Sequence, residues 1–407
     1  MSATTYRAGA FLEAAHRLGL AVTVGTDRPQ ALGEQNPAGH LTLDFGDPRA
    51  ATGEIVAFAA RRPLRTLVAA DDDGVELAAR AAEALGLAHH PPAAVRAARD
   101  KLATRRAFAA AGLPVPWFEP VRLYEDPAPI AARLRYPCIL KPLALAASRG
   151  VMRADDPPGF IAAFGRLRAL LARADARPER GAPVTEALVE GYLPGAEVAL
   201  EGLVTGGRLR ALAVFDKPDP LDGPFFEETL YVTPSRLPET AQRAVVAATQ
   251  AGVAALGLSH GPVHAELRVD QGQVWVLEIA PRSIGGLCSR ALRFGADVSL
   301  EELILRHGLG QEIGNVERET AASGVMMIPI PARGRLDHVA GLDRARAVPG
   351  VTEVRITIPL GQPIEPLPEG ARYLGFIFAR GSCPAEAENA LREAHRNLSF
   401  AIQSIGN

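Results

Sequence analysis

The pattern of apolar residues changes near residue 117, and this change limits the folds open to the chain. Between residues 10 and 118, helical periodicity alternates with short apolar runs, as in AFLEAAHRLGL before AVTVGTD and TLVAADDD before VELAARAAEALGL. Alternation of this kind predicts an α/β domain with a parallel, doubly wound sheet. Only SATT separates Met1 from the first helical segment. We therefore expect a very short opening strand, or a start that lies late in the natural chain.

After residue 117 the pattern is typical of antiparallel sheets. Short apolar runs surround a helix at GFIAAFGRLRALLARA, and EVALEGLVTGGRLRALAVFDK predicts a hairpin with a Gly-Gly turn. PETAQRAVVAATQAGVAALGL predicts a long amphipathic helix, and RADARPERGAP resembles a mobile loop. The last region predicts strands in GVMMIPIP, VTEVRITIP and YLGFIFARG, and a closing helix over PAEAENALREAHRNLSFAI. The second half is therefore expected to be α+β.

The composition narrows the class of protein. A length of 407 residues exceeds one ordinary core and suits two or three packed units. Lys and Arg number 44 against 46 Asp and Glu, which gives no electrostatic argument for nucleic acid or membrane binding. The three cysteines lie far apart without metal-ligand spacing, and no apolar run reaches transmembrane length. Since MSATTYRAGAF also lacks the features of a signal peptide, we predict a cytoplasmic protein.

Two glutamates lie in a predicted β-hairpin. VHAELRV alternates, QVWVLEIA is a nearly continuous apolar run, and DQGQ between them predicts a turn. Glu266 lies four residues before Asp270 and Glu278 six after Gly272, so a period of two places both side chains on one face. Adjacent carboxylates repel unless a cation separates them, and Mg²⁺ prefers carboxylates together with phosphate oxygens. A charge inside VWVLEIA needs a partner, so we interpret the pair as a metal site.

Two lysines are candidates for phosphate contacts. Lys141 ends the apolar run of YPCILKPL before a loop of small residues. A lysine in that position can reach phosphate oxygens while the loop backbone approaches closely. Lys101 occupies the first turn of a predicted helix, where the helix dipole disfavours a cation. Neither residue alone distinguishes phosphate binding from the role of an ordinary solvated lysine.

The segment VEGYLPGAEV connects two predicted strands and could lie along a bound ligand. A ligand there could take hydrogen bonds from the main chain near Leu193, and Glu197 could accept them from paired hydroxyls such as those of a ribose. A β-turn that carries two surface acids, Glu190 and Glu197, explains the pattern equally well.

An arginine and two glycines follow the second glutamate of the hairpin. Arg282 stands four residues after Glu278, where Pro281 ends the predicted strand. Its guanidinium could hold a phosphate or a carboxylate bidentately. Gly285 and Gly286 then supply backbone freedom beside it.

In this order along the chain, these residues resemble the ATP-grasp superfamily of carboxylate–amine ligases. The resemblance covers about residues 60 to 320 and rests on Lys101, Lys141, Glu190-x-x-Leu193-x-x-x-Glu197, Glu266 and Glu278-x-x-x-Arg282. It implies a nucleotide bound between two α+β subdomains. It further implies that phosphates contact Lys101 and Lys141, adenine contacts Glu190 and Leu193, ribose contacts Glu197, Mg²⁺ or Mn²⁺ binds Glu266 and Glu278, and the transferred phosphate contacts Arg282.

Two segments, FFEETLYVTPSRLP and EIAPRSIGG, look similar to the L-amino acid ligase branch of the superfamily. That branch joins amino acids to one another or to other amines. The resemblance implies that Glu228 faces the amino group of the activated amino acid, with Tyr231 nearby. Arg282, Gly285 and Gly286 would complete the same substrate site. A surface loop rich in aromatic and acidic residues is the alternative for the first segment.

The resemblance also implies a domain order and a reaction. We expect an N-terminal α/β domain (1–116), a small ATP-grasp subdomain (117–192), a large subdomain (193–320) and a C-terminal α+β extension packed on it (321–407). ATP would phosphorylate a carboxylate, and an amine would then displace phosphate from the acyl phosphate. Lys141 and Arg282 would act catalytically by spreading charge on the transferring group. The 143–150 loop is the expected lid, the partners are small molecules, and a homodimer is compatible with this class.

Two alternatives stay open. One is an ATP-grasp carboxylase that acts through carboxyphosphate, although the loop LALAASRG is mostly alanine rather than glycine. The other is a nucleotide-binding protein without ligase activity. The second alternative is motivated by Ala280, which stands where the family often has a metal-binding Asn.

Overall fold

The N-terminal unit contains a parallel pair of strands flanked by helices, as the alternating pattern predicts. The computed structural model describes residues 7–29, 39–173, 175, 184–295, 297–314 and 316–404. In this unit β1 (Val24–Thr26) pairs in parallel with β2 (His40–Thr42). Its helices are α1 (Ala8–Arg17), α2 (Pro48–Arg61), α3 (Asp72–Ala84), α4 (Pro92–Arg99) and α5 (Lys101–Ala110).

The N-terminal unit differs from the sequence prediction in the segment before α3. The strand predicted over TLVAADDD was wrong, because residues 66–70 belong to no strand and the acidic end starts α3. Asp71 caps this helix by accepting a hydrogen bond from the Gly74 N–H, which explains why three consecutive aspartates favour a helix start here. The proposed opening strand (2–5), and the predicted mobile loop apart from Arg173 and Asp175, lie outside the described residues.

Three consecutive helices each have an aspartate at the N-cap position. The side chains of Asp100, Asp126 and Asp156 accept hydrogen bonds from backbone N–H groups in the first turns of α5, α6 (Pro127–Arg133) and α7 (Pro157–Leu171). Proline follows two of these caps, where its missing N–H costs nothing. Short polar caps in the sequence therefore fix where each helix starts.

The small subdomain is a four-stranded antiparallel sheet covered by helices. The strands lie in the order β3-β6-β4-β5 and comprise β3 (Phe118–Arg122), β4 (Cys138–Pro142), β5 (Met152–Ala154) and β6 (Glu186–Gly191). Phe160 and Phe164 of α7 are fully buried against this sheet. These strands and this helix confirm the elements predicted from the sequence.

The large sheet has eight strands among the described residues. Its first part consists of β7 (Ala196–Thr205), β8 (Arg208–Asp216), β9 (Leu230–Thr233), β10 (His260–Asp270) and β11 (Gln273–Ala280). Both predicted hairpins, β7–β8 and β10–β11, are antiparallel and confirmed. Helices α8 (Glu239–Leu256) and α9 (Leu300–Gly308) pack on this sheet, and a short 3-10 helix spans Cys288–Ala291.

The C-terminal region continues the large sheet. β12 (Ala322–Ile328), β14 (Val351–Ile356) and β16 (Gly375–Gly381) complete its eight strands. The strands lie in the order β11-β10-β7-β8-β9-β12-β16-β14. A separate three-stranded sheet contains β13 (Gly334–Ala340), β15 (Pro363–Ile364) and β17 (Ser399–Gln403), with helices α10 (Leu342–Arg346) and α11 (Pro384–Arg396).

The end of the predicted closing helix was wrong. α11 stops at Arg396, and the residues SFAIQ form β17 and pair with β13. Phe400 and Ile402 alternate on one side of β17 and pack on the adjacent apolar core, which a helix over these residues would not achieve. None of the described helices combines the length and apolarity needed to span a bilayer.

Candidate active site

A cleft lies between the small sheet and the large sheet. It encloses about 980 Å³ of empty space, part of it open to solvent. Of the residues predicted to act in binding or catalysis, the cleft is lined by Lys101, Lys141, Glu190, Leu193, Glu197, Glu228, Glu266, Glu278 and Arg282. Tyr231, Gly285 and Gly286 do not line it directly, although Tyr231 contacts one of its acids. The fold therefore gathers residues that lie up to 181 positions apart in the chain, from Lys101 to Arg282.

The two glutamates of the hairpin lie directly opposite each other. Glu266 pairs with Glu278 across β10 and β11, and the register shifts just after Glu266. Lys101 Nζ lies 3.3 Å from Glu278 Oε2, held there because Asp100 caps the helix that Lys101 begins. Oxygen ligands in this arrangement are those that hard divalent cations prefer, so the donor set fits Mg²⁺.

Lys217 is a functional candidate that the sequence prediction missed. Its ammonium lies 2.8 Å from Glu197 Oε1 and 3.6 Å from Glu266 Oε2, and it also contacts Glu228. Carboxylate oxygens of these three glutamates all lie within 4.8 Å of one another. Burial would lower the pKa of Lys217, but the three carboxylates outweigh it and raise the pKa well above its usual range.

A compositional signal could have found Lys217. Only three lysines occur in the chain, against 41 arginines among the 44 basic residues. Lys101 and Lys141 line the cleft, and Lys217 contacts three glutamates that line it. Lys217 also ends an apolar strand in AVFDK, which is the feature used to single out Lys141 in PCILK.

Lys141 belongs to a buried charge network with Glu190 and Arg105. Glu190 accepts from Arg105 Nε at 2.8 Å and Nη2 at 3.3 Å, and it pairs closely with Lys141. Burial lowers the pKa of Lys141 to about 8, only partly opposed by Glu190. Burial would raise the pKa of Glu190, but Arg105 and Lys141 outweigh it and lower the pKa to about 2. Arg105, which the sequence prediction missed, thus holds Glu190, and the adenine contact of Glu190 stays a prediction.

The connector between β6 and β7 is braced by Arg268. Its guanidinium donates to the Leu193 carbonyl at 2.9 Å and to Glu197 Oε2 at 3.1 Å. Arg268 is buried and lies two residues after Glu266 on the same strand. Sequence alternation could have placed Arg268 on the face of Glu266, but its partners Leu193 and Glu197 are 75 and 71 residues away.

Glu228 and Tyr231 are joined to the same charge cluster. The Tyr231 hydroxyl donates to Glu228 Oε2 at 2.8 Å, and the Tyr231 side chain is fully buried. The other oxygen of Glu228 contacts Lys217. Phe226 lines the cleft nearby. Glu228 lies in the segment between β8 and β9, is half-buried and contacts Lys217. Its role toward a substrate amino group stays a prediction.

Arg282 is engaged by an acid from the N-terminal unit. Its Nε and Nη2 each donate to Asp72 at 2.8 Å, and its Nη1 donates to the Ser283 carbonyl at 2.9 Å. Beyond it, Gly286 has a φ of +60°, and a Cβ there would lie 3.0 Å from the Phe376 ring. Glycine is therefore required at 286 by both conformation and space.

The 143–150 loop covers one side of the cleft. Leu145, Ala146, Ala147 and Ser148 line it, and the Leu145 carbonyl accepts from Lys101 Nζ at 2.8 Å. Ala147 and Ser148 both have positive φ, 55° and 54°. The loop backbone therefore turns tightly here without glycine at these two positions, which costs free energy.

Three parts of the chain match known families. Residues 12–89 match the ATP-grasp N-terminal domain, residues 134–291 the ATP-grasp domain, and residues 326–403 the L-amino acid ligase C-terminal domain 2. The crystal structure of L-amino acid ligase from Bacillus licheniformis superposes with a TM-score of 0.83 at 28% identity, over 97% of this chain and 96% of that one.

Relatives in sequence cover shorter parts. The uncharacterized protein y4rH of Sinorhizobium fredii is 25% identical over 316 residues, which are 76% of this chain and 63% of that protein. Alanine–anticapsin ligase of Bacillus amyloliquefaciens is 29% identical over 220 residues, 51% of this chain and 46% of that protein. The chain thus spans less than two thirds of the length of these two relatives.

Proposed function

Because the chain belongs to the ATP-grasp family, near its L-amino acid ligase branch, we propose that it joins a carboxylate to an amine with ATP. In the first step a carboxylate oxygen bonds to the γ-phosphorus as the bond to the β–γ bridging oxygen breaks, giving an acyl phosphate and ADP. In the second step the amine nitrogen bonds to the acyl carbon, loses a proton, and phosphate leaves.

The observation that carries this proposal is the opposed pair of Glu266 and Glu278 in a cleft that Lys101 and Lys141 also line. Mg²⁺ or Mn²⁺, when bound by such carboxylates, neutralises charge on the ATP phosphates. The lysine ammonium groups then bind and orient the phosphates. Phosphoryl transfer needs mainly such positioning and charge stabilisation, so this set of residues supports it.

The remaining predicted roles form one assignment. Glu190, Leu193 and Glu197 bind the nucleoside, and Lys141 and Arg282 act on the transferring phosphoryl group. Glu228 and Tyr231, with Gly285 and Gly286, bind an amino acid substrate. Support comes from the position of Glu228 at the edge of the same cluster, held by Lys217 and Tyr231. We further propose cytoplasmic location, the domain boundaries at 116, 192 and 320, and a homodimer as the assembly to test.

The test is a panel of amino acids incubated with MgATP, in which ADP release and new amide products are measured together. The proposal expects ADP release that depends on a particular amino acid and an equal amount of amide. ADP release that depends instead on bicarbonate supports the carboxylase alternative. Nucleotide binding without ADP release under any of these conditions supports a non-catalytic protein, as Ala280 would allow.

A further inference from the structure

The side chain of Arg282 is fixed by a residue from another part of the fold. Asp72, the first residue of α3 in the N-terminal unit, accepts from Arg282 Nε and Nη2 at 2.8 Å each, across 210 residues of sequence. Arg282 is 9% exposed, so this ion pair is largely shielded from water. A bidentate pair of this geometry fixes both the plane and the direction of the guanidinium.

The pairing decides which part of Arg282 is available to a ligand. A guanidinium carries five N–H groups. Asp72 takes two of them and the Ser283 carbonyl a third, so two remain, one on each terminal nitrogen. Arg282 lines the cleft, and a phosphoryl group there can meet only this remaining end. The Nε–Nη2 edge of the guanidinium is therefore occupied by Asp72 and is closed to a phosphate.

A second arginine fixes the backbone next to Arg282. Arg7 donates to the Ala70 carbonyl at 2.9 Å, to the Ser283 carbonyl at 3.2 Å and to Ser283 Oγ at 2.7 Å. The N-terminal unit is thus attached at two points, through Arg7 and through Asp72, to the neighbouring residues Ser283 and Arg282 that follow β11. Such a double attachment fixes both the main chain and the side chain of Arg282.

Asp72 is itself placed by the start of its helix. Asp71 caps α3, so Asp72 lies in the first turn, where the helix dipole favours a negative charge. Arg282, followed by Arg99 and Lys101, outweighs the effect of burial and lowers the pKa of Asp72. The carboxylate is therefore ionised at neutral pH and able to hold the arginine.

We propose that Asp72 is a positioning residue that orients the free end of Arg282 toward the transferring phosphoryl group. This inference rests on the proposed function. It gives α3 of the N-terminal unit a part in phosphoryl transfer, beside the phosphate contact proposed for Lys101 of α5. A purely structural contact between two units would stabilise the protein but would not discriminate between a bound diphosphate and the transferring group.

The test compares binding of MgADP with binding of MgADP plus aluminium fluoride, which mimics the transferring phosphoryl group, by calorimetry on the full chain. Asp72→Asn should weaken the aluminium fluoride complex about ten- to a hundred-fold, the loss expected for a charge-assisted hydrogen bond. Affinity for MgADP alone should stay within about two-fold. Asp73→Asn, one residue along the same helix turn, is the control and should change neither affinity.

Two further variants make the result decisive. Arg282→Lys should show the same selective loss, and Asp72→Asn should add little to it, because Asp72 acts through Arg282. Asp72→Glu keeps the charge but moves the carboxylate by one methylene, so it should cause a smaller selective loss and serves if the Asn variant does not fold.

Wild-type affinity for the aluminium fluoride complex in whichever Asp72 variant folds overturns the inference. So does an equal loss for MgADP and for the aluminium fluoride complex, because that result means Asp72 only maintains the site. If the wild-type chain itself binds no MgADP, the proposed function fails instead, and the two failures are thereby distinguished.

Discussion

Glu278 is the residue on which the metal assignment depends. It lies opposite Glu266 in a strand whose neighbours are apolar, and Lys101 alone among the three lysines is paired with it. We expect Glu278→Ala to lower Mg²⁺-dependent ADP release by about a hundred-fold or more, since even the partners of metal ligands contribute 10–100-fold. Asp270→Asn, at the turn of the same hairpin, is the matched control. Wild-type ADP release from a folded Glu278→Ala protein would contradict the assignment.

Lys217, at the centre of the glutamate cluster, leads to a prediction about how Mg²⁺ affects the stability of the protein. Its side chain is 2% exposed and separates three carboxylates. Lys217→Ala removes the ammonium that contacts all three carboxylates, and we expect it to lower the free energy of unfolding by about 3–5 kcal/mol without metal. Mg²⁺ should then stabilise the variant more than the wild type, because a cation can replace the lost ammonium.

Urea unfolding with MgCl₂, and with NaCl at matched ionic strength, measures this difference for Lys217→Ala. Arg133→Ala, which removes an exposed pair with Glu119 inside the small subdomain, is the control and should respond to neither salt. A Lys217→Ala protein as stable as the wild type, or one indifferent to Mg²⁺, would show that the cluster is not a cation site.

At the scale of elements, local patterns predicted what local forces determine. The β10–β11 hairpin and the opposed glutamates follow from alternation and a short turn, and they were confirmed. The strand predicted at 66–73 failed because Asp71 caps a helix there, and the closing helix was drawn too long because SFAIQ pairs with distant β13. Neither outcome is determined by the apolar pattern alone.

The side chains that complete the site were missed for a related reason. Arg105 reaches Glu190 across 85 residues, and Asp72 reaches Arg282 across 210. An arginine in a helix and an aspartate at a helix start look like ordinary surface residues in a sequence. Their partners are determined by how separate units pack, which no spacing rule contains.

The 365–370 segment of the C-terminal region contacts the end of the 143–150 loop and helix α7. The Gly150 N–H donates to the Pro368 carbonyl at 2.9 Å, Arg149 donates to the Glu369 carbonyl at 2.8 Å, and Arg166 of α7 pairs with the Glu369 side chain at 2.7 Å. The C-terminal region thus holds the 143–150 loop over the cleft. Because the Arg166–Glu369 pair is partly exposed, Glu369→Ala should loosen the loop by only about 1 kcal/mol.

Hydrogen exchange of residues 143–150 measures this loosening and should quicken about two- to five-fold in Glu369→Ala. Release of ADP without matching amide should rise, because water then reaches the acyl phosphate more often. Exchange unchanged from the wild type would mean that the hydrogen bonds to the Pro368 and Glu369 carbonyls suffice to hold the loop. Arg133→Ala serves again as the control, since its pair lies within one subdomain.

At the scale of the whole molecule, one sheet runs from the β10–β11 hairpin at the cleft into the C-terminal region. β9 pairs with β12, so strands on both sides of residue 320 share a single ladder. The C-terminal region therefore supports the position of β9, which carries Tyr231, and indirectly that of Glu228. The C-terminal region, although predicted from the sequence as a separate extension, therefore belongs to the same sheet as the strands that line the cleft.

Buried histidines connect the N-terminal unit to the large sheet. His90 Nδ1 accepts from the backbone N–H groups of Ser259 at 3.1 Å and His260 at 3.2 Å, which attaches the N-terminal unit to the start of β10. His307 of α9 stacks on His260 with ring centroids 4.1 Å apart and shares a hydrogen bond with Thr205 at 2.8 Å. Burial, the largest cause, lowers the pKa of both His90 and His307 to about 4.

These low values make stability depend on pH in a defined direction. A histidine in the unfolded chain titrates near 6.5, so between about pH 6.5 and 4 the unfolded state binds more protons than the folded one. The stabilisation from neutral His90 and His307 is therefore full above about pH 6.5 and is lost as the pH falls toward 4. The loss is of the order of 3 kcal/mol for each fully titrated residue.

We expect His90→Asn, whose amide oxygen can replace the Nδ1 acceptor, to reduce the loss of stability between pH 7 and 5, measured by urea unfolding. The exposed His16, changed to Asn in the same way, is the control and should leave the slope unchanged. If His90→Asn and the wild type lose stability in parallel over this range, the pH dependence of the unfolding free energy does not arise from His90.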